Sequence, residues 1–408
     1  MTLLVLGYKS GLAGLLEREQ VDALIAVTSA DLAAGTIPSA LHDFCVCVPD
    51  LRDPSAILGT LQRRGLDGSV HAVHTQRELA VVSAALVASE LEAAGMTVRT
   101  ALACRDKAVQ KRLLRAAGLP CADQVVFEPP ASKWAALATS LDPVALPGVL
   151  KPVAGGGSRG ASVVQDTDGL VAALAAAEGG DAQVLESFIT GAELHCDGYV
   201  TGGRLGFLSV SRYGEPVLSV RAGRPLRSHV VGDAEPALLA AARTLTDLAL
   251  AALGVADSVF HLEAFDTPAG LVFSEVAARP GGGFVTQAVE ARHGVELRHA
   301  ALRIALGRPP EHAAPARTGS VGFTFLPAPA GRVDAVPDLA ELAGLPGVLR
   351  VDLQASVGDT MADMTQDSAK RLGLVLCEAD DDAMLHRRLD AVVDLSRERT
   401  SVLVGATG

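Results

Sequence analysis

The sequence predicts an α/β unit joined to α+β units, and three observations carry that expectation. The first hundred residues alternate apolar runs with helix-like segments, the pattern of a parallel sheet with crossover helices. Glycine-rich hairpins carrying lysines and glutamates occupy the middle, and strand patterns with one long helix close the chain. At 408 residues, 49% apolar and 20% charged, the chain can bury large cores and should divide into two or three domains. The expected divisions are 1–103, 104–308 and 309–408, with a smaller glycine-loop unit over about 120–200 inside the second.

In the first unit, Leu3 to Leu6, Ala23 to Val27, Phe44 to Val48 and Ser69 to Val73 read as strands of a Rossmann-like sheet. Its first turn is GYKSGLAG. A dinucleotide fingerprint needs glycine two residues after Gly7; Lys9 stands there, so the turn reads as an ordinary strand-to-helix connection. Next, RDKAVQKRLLRAAGLP reads as a short helix with Leu113, Leu114 and Ala117 on one face, closed by Gly118 and Pro120.

LKPVAGGGSRG, over 150–160, reads as strand, loop, strand. It is not a Walker loop, because no Gly-Lys-Ser/Thr closes it and β-type residues follow. A tip of Gly155, Gly156, Gly157 and Ser158 can aim backbone N–H groups at a phosphate chain, and Lys151 adds a point charge. QVLESFITGAELHCDGYV reads as two strands around a glycine connection, and Pro236 to Gly254 as a core helix. RAGRPLRSH, with Arg221, Arg224, Arg227 and His229, reads as a solvated basic loop, and Trp134 as core of the glycine-loop unit. HAAPARTG marks the last boundary. Beyond it GFTFL and VLRVDLQ read as strands, and a final helix starts after Asp380, Asp381 and Asp382.

In VFHLEAFDTPAGLVFSEVAARPGGG, TPAGL fits a three-residue hairpin loop with Pro268 at i+1 and Gly270 left-handed. That register sets Thr267 against Leu271, Phe265 against Phe273, Glu263 against Glu275 and His261 against Ala277, all on one face. Opposed glutamates repel unless a cation lies between them, and an oxygen-only pair suits magnesium, with manganese as a substitute. Arg279, farther along that face, can meet an anionic oxygen. His261 shares their surroundings, whereas His195 reads as hydrogen-bonded packing.

The formal charge, 35 − 47 = −12, offers no basic stripe to nucleic acid and no polybasic segment to a membrane. MTLLVLGYKSG lacks the basic start and the cleavage site of a signal peptide, and no uncharged apolar stretch approaches about 18 residues. A cytoplasmic protein is expected. Cys45, Cys47, Cys104, Cys121, Cys196 and Cys377 show no CxxC spacing and read as reduced, mostly buried thiols.

Together the glycine loop, the lysine-bearing helix and the carboxylate pair resemble the ATP-grasp superfamily over most of the chain. The resemblance implies an ATP-grasp fold, with Lys107 and Lys151 as nucleotide lysines. It places Glu186 and the backbone near Ile189 at adenine, Glu193 at ribose, and Glu263 and Glu275 at magnesium. Lys151 and Arg279 are then the catalytic cations. Ala277 departs from the pattern, since many members carry asparagine there as a further metal ligand. The EVAARPGGG stretch is similar to the L-amino acid ligase branch. It implies a carboxylate–amine ligase that uses ATP and magnesium, with amino acids as substrates, an acyl phosphate between two steps, and a homodimer as the default assembly. The alternatives are an ATP-grasp ligase of nucleotide-precursor metabolism and a catalytically silent ATP-binding sensor or scaffold.

Overall fold

The computed structural model describes residues 1–128, 134–139, 146–177, 181–313, 317–327, 329–362 and 371–403, with only the main chain at 220–222. Strands β1 (Thr2–Leu6), β2 (Asp22–Val27), β3 (Cys45–Cys47) and β4 (Val70–Thr75) form a parallel sheet in the order β3-β2-β1-β4. These are the four runs read from the sequence. Being covered by helices on both sides, they are apolar without alternation, from Leu3 to Leu6 and Ile25 to Val27.

A second, antiparallel sheet is built from β5 (Gln124–Phe127), β6 (Gly148–Pro152), β7 (Ser162–Val164) and β8 (Gln183–Ser187), ordered β5-β8-β6-β7. The glycine loop is the β6–β7 hairpin tip, as expected. Trp134, 2% exposed, packs with Phe127, Leu150, Leu170 and Leu185 and donates to the Glu128 carbonyl at 2.8 Å, so the lone tryptophan is core of this unit.

The largest sheet has eight antiparallel strands. It contains β9 (Ala192–Thr201), β10 (Arg204–Tyr213), β11 (Arg227–Val230), β12 (Ser258–Thr267), β13 (Gly270–Ala277) and β14 (Ser320–Leu326). The next strands in the chain are β15 (Gly331–Ala335), β16 (Val348–Leu353), β17 (Thr360–Met361), β18 (Gly373–Ala379) and β19 (Ser401–Leu403). The order is β13-β12-β9-β10-β11-β14-β18-β16, so strands before and after residue 308 share one ladder; β17-β15-β19 form a small separate sheet. QVLESFITGAELHCDGYV is two strands, as expected, but Gly191 separates strands of different sheets. Residues 314–316 of the expected boundary lie outside the described residues.

RPLRSH is corrected by this sheet. Arg227–Val230 is strand β11, with Ser228 and His229 1% and 6% exposed, and Arg227 reaches Asp390 at 2.5 Å; pairing with β10 and β14 outweighs the local basic composition. Arg224 does lie exposed, paired with Glu215, and the Arg221 side chain falls outside the described residues.

Helix Pro236–Leu253 packs Ala242, Leu245, Ala249, Leu250 and Leu253 into the core beneath this sheet. It is the one described helix long and apolar enough to cross a membrane, although it carries Arg243 and Asp247. The final helix, Asp382–Arg399, starts at an Asp381 cap that accepts from the Met384 N–H at 2.7 Å. All six cysteines are free: Cys104, Cys196 and Cys377 are buried, Cys45 and Cys121 half-buried and Cys47 exposed.

The helix from RDK runs Lys107–Ala116. Asp106 caps it by accepting from the Val109 N–H at 2.8 Å, and Gly118, at φ +76°, ends it. Its buried face differs from the expected one. Lys107, Gln110, Lys111 and Leu114 point inward, Leu113 is half-buried and Ala117 is exposed. The reason is the edge strand β13, whose backbone this helix completes with side chains. Gln110 donates to the Val276 carbonyl at 2.8 Å and accepts from its N–H at 3.0 Å, while Lys111 donates to the Ser274 carbonyl at 2.6 Å.

Candidate active site

The hairpin β12–β13 forms the floor of a cleft. Glu263 opposes Glu275 and His261 opposes Ala277, as the sequence register requires. The rest of that register is corrected. The loop is two residues, so Thr267 pairs with Gly270, Phe265 with Val272 and Ala264 with Phe273. A bulge restores the glutamate pairing by leaving Ser274 out of the ladder, and it turns Phe273 to the apolar face with Phe260, Leu262 and Val276. The freed Ser274 carbonyl is the one Lys111 satisfies.

Above the floor lies a cleft of about 340 Å³, roofed by the β6–β7 hairpin. It brings together Lys107, Lys151, Gly155, Gly156, Ser158, Glu186, Ile189, Glu193, Glu263 and Glu275 from five strands, two loops and a helix. Gly157, at φ +66°, sits in the same loop but does not line the cleft, and neither does Arg279. Gly157 and Ser158 are consecutive left-handed residues, a conformation that glycine adopts without cost and serine rarely.

Charge organises the cleft. Lys107 reaches Glu275 at 2.9 Å and the Gly155 carbonyl at 3.0 Å, which ties floor to roof. Arg105 also donates to the Gly155 carbonyl at 3.0 Å and to that of Ala154, so this part of the loop presents carbonyls to cations. Glu186 accepts two lysines, Lys111 at 2.7 Å and Lys151 at 3.0 Å. Burial works against its ionisation, yet those lysines hold its carboxyl below the usual range. Its carboxylate is thus a lysine partner.

Glu275 is held low in the same way: burial opposes the charge and Lys107 and Lys151 outweigh it. Glu193 behaves oppositely. Burial first, and the charge of Glu263 second, push its carboxyl up to about 7, although the Val217 N–H donates to it at 3.1 Å. Glu263 accepts from the Tyr213 hydroxyl at 3.1 Å and lies 3.5 Å from His261 Nε2.

Behind Glu263 runs a buried chain that the sequence did not expose as a unit. Asp197, 0% exposed, meets His195 Nδ1 at 2.5 Å with one oxygen and His261 Nδ1 at 2.8 Å with the other. His195 Nε2 lies 2.6 Å from the Ser228 hydroxyl, so this histidine is hydrogen-bonded packing, as expected. Burial opposes protonation of His261, but Asp197 and Glu263 raise it to about 10. Lys111 was the other residue missed. A lysine in a helix of basic residues reads as solvated, and only the edge strand beside it reveals otherwise.

A Rossmann-like sheet, a glycine hairpin over a lysine-rich cleft, and an acidic floor on the central sheet make up an ATP-grasp fold. Residues 324–399 match the family model described as "L-amino acid ligase C-terminal domain 2", and 113–210 that described as "D-ala D-ala ligase C-terminus". An L-arginine-specific L-amino acid ligase of Bacillus subtilis is 25% identical over 324 residues, covering 78% of this chain and 77% of that one. The D-alanine–D-alanine ligase of Mycobacterium ulcerans is 35% identical over 154 residues, 36% of this chain and 38% of that one. Among solved structures, the L-amino acid ligase of Bacillus licheniformis superposes with a TM-score of 0.79 at 19% identity, covering 98% of both chains. The carboxyaminoimidazole ribonucleotide synthase of Aspergillus clavatus, solved with ATP, gives 0.73 at 18%, again over 98% of each. The chain has the ATP-grasp fold, resembles the L-amino acid ligase branch, and is an ATP-dependent ligase that forms carbon–nitrogen bonds.

Proposed function

We propose that the protein joins amino acids or amino-acid-like substrates, activating a carboxylate with ATP as an acyl phosphate and releasing ADP and phosphate. The observation that carries this reading is the Glu263–Glu275 pair on the floor of a cleft that Lys107 and Lys151 also line. The donor set fits a hard divalent ion: two opposed carboxylates, with Glu275 Oε2 buried and lacking an aligned hydrogen bond despite Lys107 nearby. Magnesium held by Glu263 and Glu275 would neutralise charge on the phosphates.

The remaining work falls to the chain. Lys107 and Lys151 position the phosphates, Phe188 to Gly191 supply backbone for the base, and Glu193 is placed for a ribose hydroxyl. An oxygen of the first substrate's carboxylate attacks the γ-phosphorus as the bond to ADP breaks. The second substrate's amine then attacks the acyl carbon, loses a proton and expels phosphate. Covered by the glycine loop, the acyl phosphate is kept from water.

The test is nucleotide release from Mg-ATP with amino acids supplied singly and in pairs, ADP and AMP being detected separately. ADP that appears only with particular pairs is the expected result. AMP would overturn the acyl phosphate, and ATP binding without turnover would leave a sensor. Glu275→Ala should abolish ADP formation in a folded protein; full turnover in that variant would remove Glu275 from the metal site.

A further inference from the structure

The strand order β3-β2-β1-β4 reverses direction between β1 and β4, and open α/β sheets bind ligands in the crevice beyond that point. The turns that leave β1 and β4 there carry Lys9 on one side and Arg77 and Glu78 on the other. Helix Leu297–Ala305 seals the crevice. Arg298 donates to the Ser10 carbonyl at 2.9 Å, and the Arg298 carbonyl accepts from Gln76 at 3.5 Å, so both turns are fastened to it. Arg279 enters from the catalytic side and meets Glu78 at 2.5 Å, with Arg105 3.4 Å from the same glutamate.

The charges there do not balance. Arg77 is paired with Asp31 at 3.1 Å, and Arg105 and Arg279 share Glu78. Glu296, at the start of the sealing helix, is taken by Arg18 at 2.9 Å. Among the described residues no carboxylate lies within 4.0 Å of Lys9 or Arg298, and both are half-buried. Two like charges brought together in a crevice cost stability unless an anion joins them. The strain is legible at Lys9, whose ammonium is pushed down to about 8 by burial and by Arg279, Arg298 and Arg77.

We infer that Lys9 and Arg298 hold a carboxylate of the amine-bearing substrate, the one that is not phosphorylated. This rests on the proposed ligase reaction. The carboxylate to be activated must lie by the phosphates, near Lys107. The second substrate can then approach from the parallel-sheet side, where its own carboxylate finds the unpaired cations while its amine points to the acyl carbon. The site therefore takes amines that carry a free carboxylate, and discriminates against amides and simple amines.

Steady-state kinetics on a productive pair tests this with Lys9→Gln and Arg298→Gln. The KM for the amine-bearing amino acid should rise about tenfold or more in each, as expected for loss of a charge-assisted contact, with the KM for ATP within about twofold of wild type. Replacing that amino acid by its α-carboxamide should cost wild type more than it costs either variant, and cost the double variant nothing further. An unchanged KM, or an equal rise with the carboxamide, would overturn the assignment. If no pair turns over, the ligase reading fails, and acetate titrated at constant ionic strength decides the site by melting temperature. Stabilisation of wild type that both variants lose supports an anion site; none in wild type, or the same in the variants, refutes it.

Discussion

Lys111 is entirely buried, which a lysine tolerates only when its charge is partnered. Here Glu186 and the Ser274 carbonyl meet it. Lys111→Met should therefore cost about 3–5 kcal/mol, because it leaves a buried carboxylate with one lysine instead of two. Chemical denaturation checks that figure, and a cost under about 1 kcal/mol would mean that Glu186 finds another partner. Glu193 makes the complementary case. A carboxyl raised from 4.5 to about 7 binds its proton more tightly in the folded state, so its contribution is complete below pH 4.5 and is lost as pH rises through 7. Without nucleotide or divalent ion, the melting temperature should fall between about pH 5 and pH 8 by more in wild type than in Glu193→Gln. Equal slopes would show that the proton is not held there.

At the scale of elements, the β12–β13 hairpin shows how far sequence reasoning reaches. The opposition of Glu263 and Glu275 was legible, because both lie on alternating strands about one turn. The path to it was not. A loop one residue shorter than TPAGL implies is offset by one extra residue at Ser274, and the two changes cancel at the glutamates but not at Phe273. Bulges answer to tertiary partners, here a lysine from a neighbouring helix, which no local pattern encodes. The helix Lys107–Ala116 was legible in its glycine and proline stop, whereas its Asp106 cap went unread and its buried face was set by an edge strand distant in sequence. Its Asp106 cap also fixes where Lys107 emerges. Asp106→Ala should lower stability by about 1 kcal/mol and raise the KM for ATP, since the first turn that carries Lys107 would fray. An unaltered KM would show that the Gly155 carbonyl alone holds the lysine in place.

For the molecule as a whole, the runs of the parallel sheet were readable because each is mostly apolar, and so was the glycine hairpin. The basic stretch around Arg227 was not, since one of its two neighbours in the sheet, β14, arrives more than ninety residues later. Glu19 shows the same long reach. It gathers His299, Arg303 and Arg308 at 2.5, 3.0 and 2.6 Å, which clamps the first unit to the end of the central one.

The eight-stranded ladder decides how the polypeptide can be divided. Strands β18 and β16 have no sheet of their own; they extend from β14, which hydrogen-bonds to β11. A nick introduced after Arg308 should thus leave two peptides that co-elute as one particle in native buffer and separate only in denaturant. The last hundred residues expressed alone should be insoluble, with the flank of β14 open to the solvent. Mixed with the first three hundred during refolding, they should restore the particle, a reconstitution that a self-contained C-terminal module would have no need of.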